Sequence, residues 1–183
     1  MKNKIILILI CSSFFANGFS QKYITKTGTI EIFSETAFFT IDGTNKKVAS
    51  ILNIENGDIV VSTLVRSFKF EEALVEEHFN ENYMESAKFP KAIFKGKIVN
   101  YKPGQFNKDG VYNVMLKGKL TIHGQTRDIN KKAEITVKNG LIFGTSQFNV
   151  SLENYKIKVE KAYKNSIKDE ILLKIKFEYK PYK

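Results

Sequence analysis

The segment EILLKIKFEY, residues 170–179, alternates between apolar and polar side chains. Its apolar face consists of Ile171, Leu173, Ile175, Phe177 and Tyr179. Charged residues occupy Glu170, Lys174, Lys176 and Glu178 between them. Because successive side chains of a strand point to opposite faces, this period of two predicts a strand with one buried and one solvated face.

The same period recurs along the chain and predicts eight strands. In residues 112–122, for example, Leu116 and Leu120 alternate with Lys117 and Lys119. The predicted strands span residues 23–34, 48–54, 59–65, 92–100, 112–122, 129–137, 141–152 and 170–179. Short polar connections separate them and favour antiparallel neighbours. Asn139-Gly140 is the clearest hairpin turn, since both residues tolerate the positive φ of a type I′ turn.

One segment, residues 68–87, has helical spacing instead. Phe70, Leu74 and His78 recur four residues apart, with Val75 and Phe79 beside the last two. Glutamates occupy the other side, so the segment predicts one or two turns of amphipathic helix. The helix is expected to end before Phe89-Pro90, because proline disfavours helical geometry in the preceding residue.

Eight antiparallel strands form either a sandwich or a closed barrel. Closure removes exposed strand edges, and an eight-stranded barrel is just wide enough to hold one small ligand or to be filled by its own side chains. Glycines at Gly96, Gly118 and Gly144 fall within strands, where space or strand bending is needed. The period of two does not by itself distinguish a barrel with a solid interior from one with a hollow interior.

The first 20 residues are interpreted as an export signal. Lys2 and Lys4 precede an apolar run at residues 5–15, and small residues at Gly18 and Ser20 precede a cleavage point. The run is too short for a transmembrane helix, which needs about 20 apolar residues. Its removal from the 183 residues leaves 163, and the loss of two lysines lowers the net charge from +10 to +8. We therefore expect an exported protein, periplasmic or secreted, with its one domain at residues 21–183.

Few residues of the chain are suited to catalysis or metal binding. The two histidines, His78 and His123, cannot supply a metal cluster alone, and the only cysteine, Cys11, lies in the export signal. A structural role on the helix face is favoured for His78, and a turn role before Gly124 for His123. No nucleophile elbow, phosphate loop or dinucleotide fingerprint is present. The sequence predicts no enzyme, no catalytic residues, no cofactor and no metal.

The basic balance of the chain, with a pI near 9.5, does not indicate a nucleic-acid partner. Only Arg66 and Arg127 among 29 basic residues are arginine, so bidentate recognition of phosphates is scarce. The lysines alternate with apolar residues along the strands, which is typical of a soluble outer face. A transient contact with a membrane surface stays open. The sequence makes no prediction of oligomeric state.

Three motifs resemble the YceI-like family of exported bacterial proteins. The longest is residues 77–90, EHFNENYMESAKFP, followed by IFKG at 93–96. The second is LTIHGQTR at 120–127, and the third comprises residues 148–152, 155–157 and 167–171. The resemblance covers residues 22–180. One stretch departs from it: many relatives carry an Arg-x-Asp-Phe-Gly-like sequence where this chain has residues 148–155, so a headgroup contact from that arginine does not carry over.

The resemblance implies a lipocalin-like antiparallel barrel whose interior binds a long apolar lipid, such as a polyisoprenoid, an isoprenoid quinone or a fatty-acid derivative, without catalytic machinery. Alternation then assigns candidate ligand-binding residues, for each of which a place in a closed core is the equal alternative. They are Phe94, Ile98, Val114, Leu116, Leu120, Phe143, Phe148, Leu173, Ile175 and Phe177. Candidate lid residues, for which simple packing on the barrel is the alternative, are Phe68, Phe70, Leu74, Phe79 and Met84. An exported lipid-modifying enzyme and a solid-barrel interaction protein remain as alternative functions.

Overall fold

The alternating runs of the sequence lie in the strands of a barrel. The structure, a computed structural model, describes residues 22–35, 40–159 and 169–182. The predicted export signal at residues 1–20 lies outside these. Within them, nine strands form: β1 (Lys22–Glu35), β2 (Thr40–Asn53), β3 (Asp58–Leu64), β4 (Lys69–Phe70), β5 (Lys91–Ile98), β6 (Gly110–Ile122), β7 (Gln125–Lys138), β8 (Leu141–Ser151) and β9 (Glu170–Pro181).

The eight long strands close into the predicted antiparallel barrel, and β4 is a two-residue addition to β2. Closure follows from β1, which pairs with both β2 and β9. The turn at Asn139-Gly140 has φ angles of 52° and 76°, which confirms the predicted hairpin between β7 and β8. His123-Gly124 makes a similar turn between β6 and β7, with φ angles of 49° and 69°.

Strand β2 begins at Thr40, eight residues before the predicted start at Val48. A β-bulge at residues 46–47 explains the difference, since Ile30 pairs with Asn45 and Gly28 pairs with Val48. Asn45 and Val48 are both fully buried although they are three residues apart. The bulge thereby reverses the alternation in the middle of the strand, and the sequence period ends there.

The segment between β3 and β5 is partly helical, as predicted. Helix α1 (Ala73–His78) continues into a π-helical turn at Phe79–Tyr83, and both end before Phe89-Pro90. Assigning Phe70 to the helical face was wrong, because Phe70 lies in β4 and pairs with Gly43. Two 3₁₀ turns, Val65–Ser67 and Glu153–Tyr155, complete the helical elements of the described residues. Across the described part of the chain, no helix has the length and apolar character needed to span a membrane.

One end of the barrel is closed by aromatic packing. The Phe106 ring lies 5.5 Å from the Tyr101 ring and 5.3 Å from the Tyr112 ring, measured between centroids. Above this layer, the Tyr179 and Ser50 hydroxyls form a hydrogen bond of 2.8 Å. Burial raises the pKa of Tyr179 above its usual range, and the hydrogen bond with Ser50 opposes that shift in part. This end of the barrel is therefore a well-packed floor.

Candidate ligand-binding site

The other half of the barrel encloses a cavity of about 700 Å³. This volume lies within the range of roughly 300–1,000 Å³ that is common for ligand pockets. Inward-facing apolar side chains of the long strands form its wall, and Tyr179 and Phe177 lie among them near the floor. A solid barrel predicts no such space, so the solid-barrel alternative is wrong.

Seven of the ten predicted ligand-binding residues line this cavity. They are Phe94, Leu116, Leu120, Phe148, Leu173, Ile175 and Phe177. Leu116, Phe148 and Ile175 are only half-buried although they point inward. Their exposed area faces the cavity, which shows that inward alternation does not by itself mean close packing.

The other three predicted residues lie elsewhere. Ile98 and Val114 point inward but are buried in the closed part of the core, outside the cavity lining. Phe143 lies on the outer face, because it alternates with the inward Ile142 and Gly144. Its placement inside the barrel was wrong. Both faces of β8 are apolar at this point, so the sequence pattern could not distinguish them.

All five predicted lid residues line the mouth of the cavity. The Phe79 ring lies between the Phe68 ring, at 5.5 Å, and the Phe70 ring, at 4.9 Å. Phe68 is buried, whereas Leu74 is 59% exposed. The segment from β4 to the π-helical turn therefore covers part of the mouth with aromatic rings and leaves an apolar edge in solvent.

A buried cluster around His123 fixes the end of this segment to the barrel. The His123 Nε2 lies 2.9 Å from the Glu85 carboxylate, and its Nδ1 lies 3.1 Å from the carbonyl oxygen of Tyr155. The hydrogen bond from His123 holds the pKa of Glu85 below its usual value, with a smaller contribution from the charge of Lys88. The Phe89 ring packs against the imidazole with 4.4 Å between centroids. His123 thus has the predicted turn position and also joins three segments, outside the cavity lining.

Few ionisable side chains from the described acidic and basic residues line the cavity. Asp42, Glu71, Glu72 and His78 line it from β2 and from the β4–α1 region. Lys131 lines it from the wall strand β7. Lys131 is not among the predicted site residues, because alternation with apolar neighbours predicts that the strand lysines lie on the outer face. The sequence pattern that indicates its inward orientation is the alternating series Ile129, Lys131, Ala133 and Ile135, in which a lysine occupies an inward position.

No group of three or more His, Cys, Asp or Glu side chains in the described ranges is placed to hold a metal ion. Neither histidine is positioned to act as a general base inside the cavity. Both ring nitrogens of His123 are hydrogen-bonded, to the Tyr155 carbonyl oxygen and the Glu85 carboxylate, and His78 lies at the mouth. The site is an apolar container with a polar edge.

Comparison with known proteins identifies the fold. The sequence matches the YceI-like domain over residues 21–179. The chain belongs to the YceI-like family. No curated protein matches this YceI-like chain.

Three solved structures resemble this YceI-like protein. The first is a polyisoprenoid binding domain from Saccharophagus degradans implicated in plant cell wall breakdown, with 10% identity and a TM-score of 0.77 over 88% of this chain and 99% of that one. The second is Burkholderia cenocepacia BcnA, with 13% identity and a TM-score of 0.70 over 84% and 96%. The third, the Campylobacter jejuni YCEI protein, has 19% identity and a TM-score of 0.58 over 74% and 82%. At these identities the likeness shows a shared barrel fold.

Proposed function

We propose that this protein is an exported binding protein that holds a long apolar lipid in the barrel for transport, storage or sequestration. The ligand class is a polyisoprenoid, an isoprenoid quinone or a fatty-acid derivative. The observation that carries the proposal is the apolar cavity of about 700 Å³. Support comes from the family, which has a binding-protein fold, and from the similar structure that is a polyisoprenoid binding domain.

The cavity wall supplies the free energy of binding. Each CH₂ group transferred from water to an apolar surface contributes about 0.8 kcal/mol, so a chain of several isoprene units binds tightly without a specific polar contact. The half-buried Leu116, Phe148 and Ile175 present the apolar surface that the chain would cover. The ligand would therefore complete the packing that the barrel's own side chains leave unfinished.

Export and membrane contact are part of the same proposal. Residues 1–20 have the charged and apolar pattern that predicts an export signal, and the family match begins at residue 21. A carrier of membrane lipids must exchange its cargo with a membrane. Leu74, which is 59% exposed beside the mouth, offers an apolar group for such a transient contact.

An exported lipid-modifying enzyme is the weaker alternative. It needs a reactive polar group inside the cavity, but His123 lies outside the lining and is held by Glu85 and Tyr155. His78 lines the mouth without a hydrogen-bonded partner that would orient it among the described residues. Binding therefore explains the site with fewer assumptions than turnover.

Lipid extraction from the purified protein, followed by mass spectrometry, tests the proposal directly. We expect a copurified long-chain lipid, and saturable uptake of an isoprenoid quinone by the delipidated protein. A cavity-filling variant, Leu116→Trp, should abolish uptake. The matched control is Lys117→Trp, because Lys117 is exposed on the opposite face of the same strand.

The two variants make the outcome specific. Loss of uptake in Leu116→Trp with retention in Lys117→Trp supports binding inside the barrel. Absence of copurified lipid together with no saturable uptake by the unmodified protein contradicts the proposed function. Circular dichroism of both variants establishes that each retains its β structure.

A further inference from the structure

The barrel wall opens on one side, between β7 and β8. These two strands pair only from Glu134–Lys138 to Leu141–Thr145, next to their hairpin turn. Farther along, residues 125–133 and 146–151 are both described but do not pair with each other. Each keeps its other neighbour, since β7 pairs with β6 as far as Gln125 and β8 pairs with β9 as far as Ser151. The two strands therefore diverge as a wedge that runs toward the mouth.

A second cavity, of about 390 Å³, occupies this wedge. It shares five lining residues with the main cavity: Leu120, Ile129, Lys131, Phe148 and Val150. Side chains replace the missing backbone ladder in places. Ser146 donates a hydrogen bond to the Lys132 carbonyl oxygen at 2.7 Å, and Arg127 donates one to the Asn154 carbonyl oxygen at 2.8 Å. The wedge is thus a side opening of the main cavity with a polar outer edge.

Lys131 lies where the two cavities meet. It is the only lysine or arginine among the described residues lining the main cavity. Its ammonium lies 5.1 Å from the centroid of the Phe148 ring and donates a long hydrogen bond of 3.4 Å to the Asn149 carbonyl oxygen. In the described ranges, no carboxylate oxygen lies within 4 Å of it. Lys131 therefore presents a positive charge with weak partners next to an apolar chamber.

The charges around the wedge favour an anion. Arg127 and Lys131 contribute two positive charges to its lining. Asp128, which supplies the one carboxylate among its described lining residues, is already paired with Lys119 at 3.1 Å. The carboxylates that line the main cavity from the described residues, Asp42, Glu71 and Glu72, belong instead to β2 and to the connection between β4 and α1. The Lys131 ammonium would gain from an anionic partner, because charge-assisted hydrogen bonds are stronger than neutral ones.

We propose that this side opening is the headgroup site for an anionic amphiphile. The proposal rests on the lipid-binding function above. The apolar chain lies in the main cavity, and its terminal carboxylate or phosphate binds the Lys131 ammonium, with Arg127 at the outer edge. A neutral chain would fill the same cavity but leave Lys131 without an ionic partner.

Two matched ligand pairs test the headgroup site by competition against a neutral fluorescent lipid. One pair is a C18 fatty acid and its methyl ester; the other is geranylgeranyl monophosphate and geranylgeraniol. In each pair the chain is the same and only the anionic group differs. We expect the anionic member of at least one pair to bind about tenfold or more tightly than its neutral partner. Preference in the first pair identifies a carboxylate, and preference in the second a phosphate.

Variants of two adjacent lysines locate the effect. Lys131→Met keeps the length and apolar stem of the inward side chain but removes its charge. Lys132→Met removes the same charge from the exposed outer face of the same strand. We expect Lys131→Met to lose the anion preference while still binding the neutral ligands, and Lys132→Met to keep it.

The possible failures are distinguishable. Equal affinity for both members of each pair, or equal effects of the two lysine variants, overturns the headgroup site and leaves the binding function intact. No binding of any of the four ligands overturns the binding function and the headgroup site together. Thermal unfolding of the delipidated variants controls for loss of folding.

Discussion

The two ends of the barrel are built from similar alternating strands, but only one of them is filled. At the closed end, Val48, Leu52 and Tyr179 have no exposed surface. Toward the mouth, Leu116 and Ile175 also point inward, yet they remain half-buried and face a cavity. The same period of two thus produces a core at one end and a container at the other.

The difference lies in the position of the connections between strands at each end of the barrel. At the closed end, the β5–β6 connection inserts Phe106 between Tyr101 and Tyr112. At the mouth, the segment from β4 to the π-helical turn lies over the opening and places Phe70 and Phe79 at its edge. A connection that enters the barrel fills it, and a connection that crosses the opening leaves space beneath. The following changes test this contrast.

The largest effect is expected at the closed end. Phe106→Ala should lower the free energy of unfolding by about 3–5 kcal/mol, because it removes a buried ring from a packed cluster and leaves a void. Phe148→Ala, which removes a ring facing the cavity, should cost only about 1 kcal/mol. Urea unfolding measures both. Equal losses would contradict the contrast, and Phe106→Leu replaces the first variant if it does not fold.

Crowding in the wall gives the second effect. A Cβ on Gly118 would lie 2.4 Å from the Gly96 Cα and from the Lys95 carbonyl oxygen, because β5 and β6 approach closely there. Gly118→Ala should therefore destabilise the protein by about 1–3 kcal/mol through overpacking. Gly144→Ala is the control, since its Cβ would make ordinary contacts at 3.4 Å. Urea unfolding measures both variants. A shift of the unfolding midpoint in Gly144→Ala as large as that in Gly118→Ala would refute the explanation.

A smaller effect is expected at the floor, where the filled half meets the cavity. Tyr179→Phe removes the hydroxyl bonded to Ser50 and should cost about 1 kcal/mol, since Ser50 keeps its hydrogen bond to the Val60 carbonyl oxygen.

The pH dependence of the same variant follows from burial, which raises the pKa of Tyr179 in the folded state. The neutral hydroxyl is favoured by folding, so its contribution is complete below the ordinary tyrosine pKa of about 10 and is lost as the pH rises above it. Stability measured between pH 8 and about 11 should therefore fall less steeply in Tyr179→Phe than in the unmodified protein. Identical slopes would argue against a buried hydroxyl at the floor.

The smallest effect is expected at the mouth, as a change in how steeply the free energy of unfolding varies with pH. The pKa of Glu85 is lowered in the folded protein, so its contribution is present above its ordinary value and is lost as the pH falls through the lowered one. Glu85→Gln should flatten the loss of stability below about pH 5. Glu81→Gln, in the exposed π-helical turn, should leave the acid slope unchanged. Chemical unfolding at a series of pH values gives both slopes, and parallel curves for Glu85→Gln and the unmodified protein would contradict a link through His123.

The sequence predicted most of the strands because alternation is a local property. Each strand needs only its own side chains to define an inner and an outer face, so residues 170–179 were assigned correctly on both faces. Where the local signal is interrupted or symmetric, prediction failed. The bulge at residues 46–47 hid the first half of β2, and apolar residues on both faces of β8 concealed the direction of Phe143.

The candidate site was predictable in its residue types and less so in its shape. Seven wall residues line the cavity because inward alternation placed them on the correct face. The five lid residues also line it, although Phe70 does so from β4 and not from a helical face. Ile98 and Val114 were assigned to the same wall but lie in the filled half, since distance along the barrel axis depends on register between strands. Lys131 was missed for a related reason. The inward orientation of its side chain follows the period of the strand, but that period does not show that β7 and β8 separate beside it.

By itself, the sequence determined the eight long strands of the barrel, the hairpin at Asn139-Gly140 and the apolar inner face, all of which follow from interactions between residues close in the chain. Only the tertiary structure decided which half of the barrel is hollow and where its wall opens. Those features depend on which distant strands pair, over what length, and on whether a connection enters the barrel or crosses its mouth. Such long-range packing determines volume, and volume is what separates a lipid-binding barrel from a solid one.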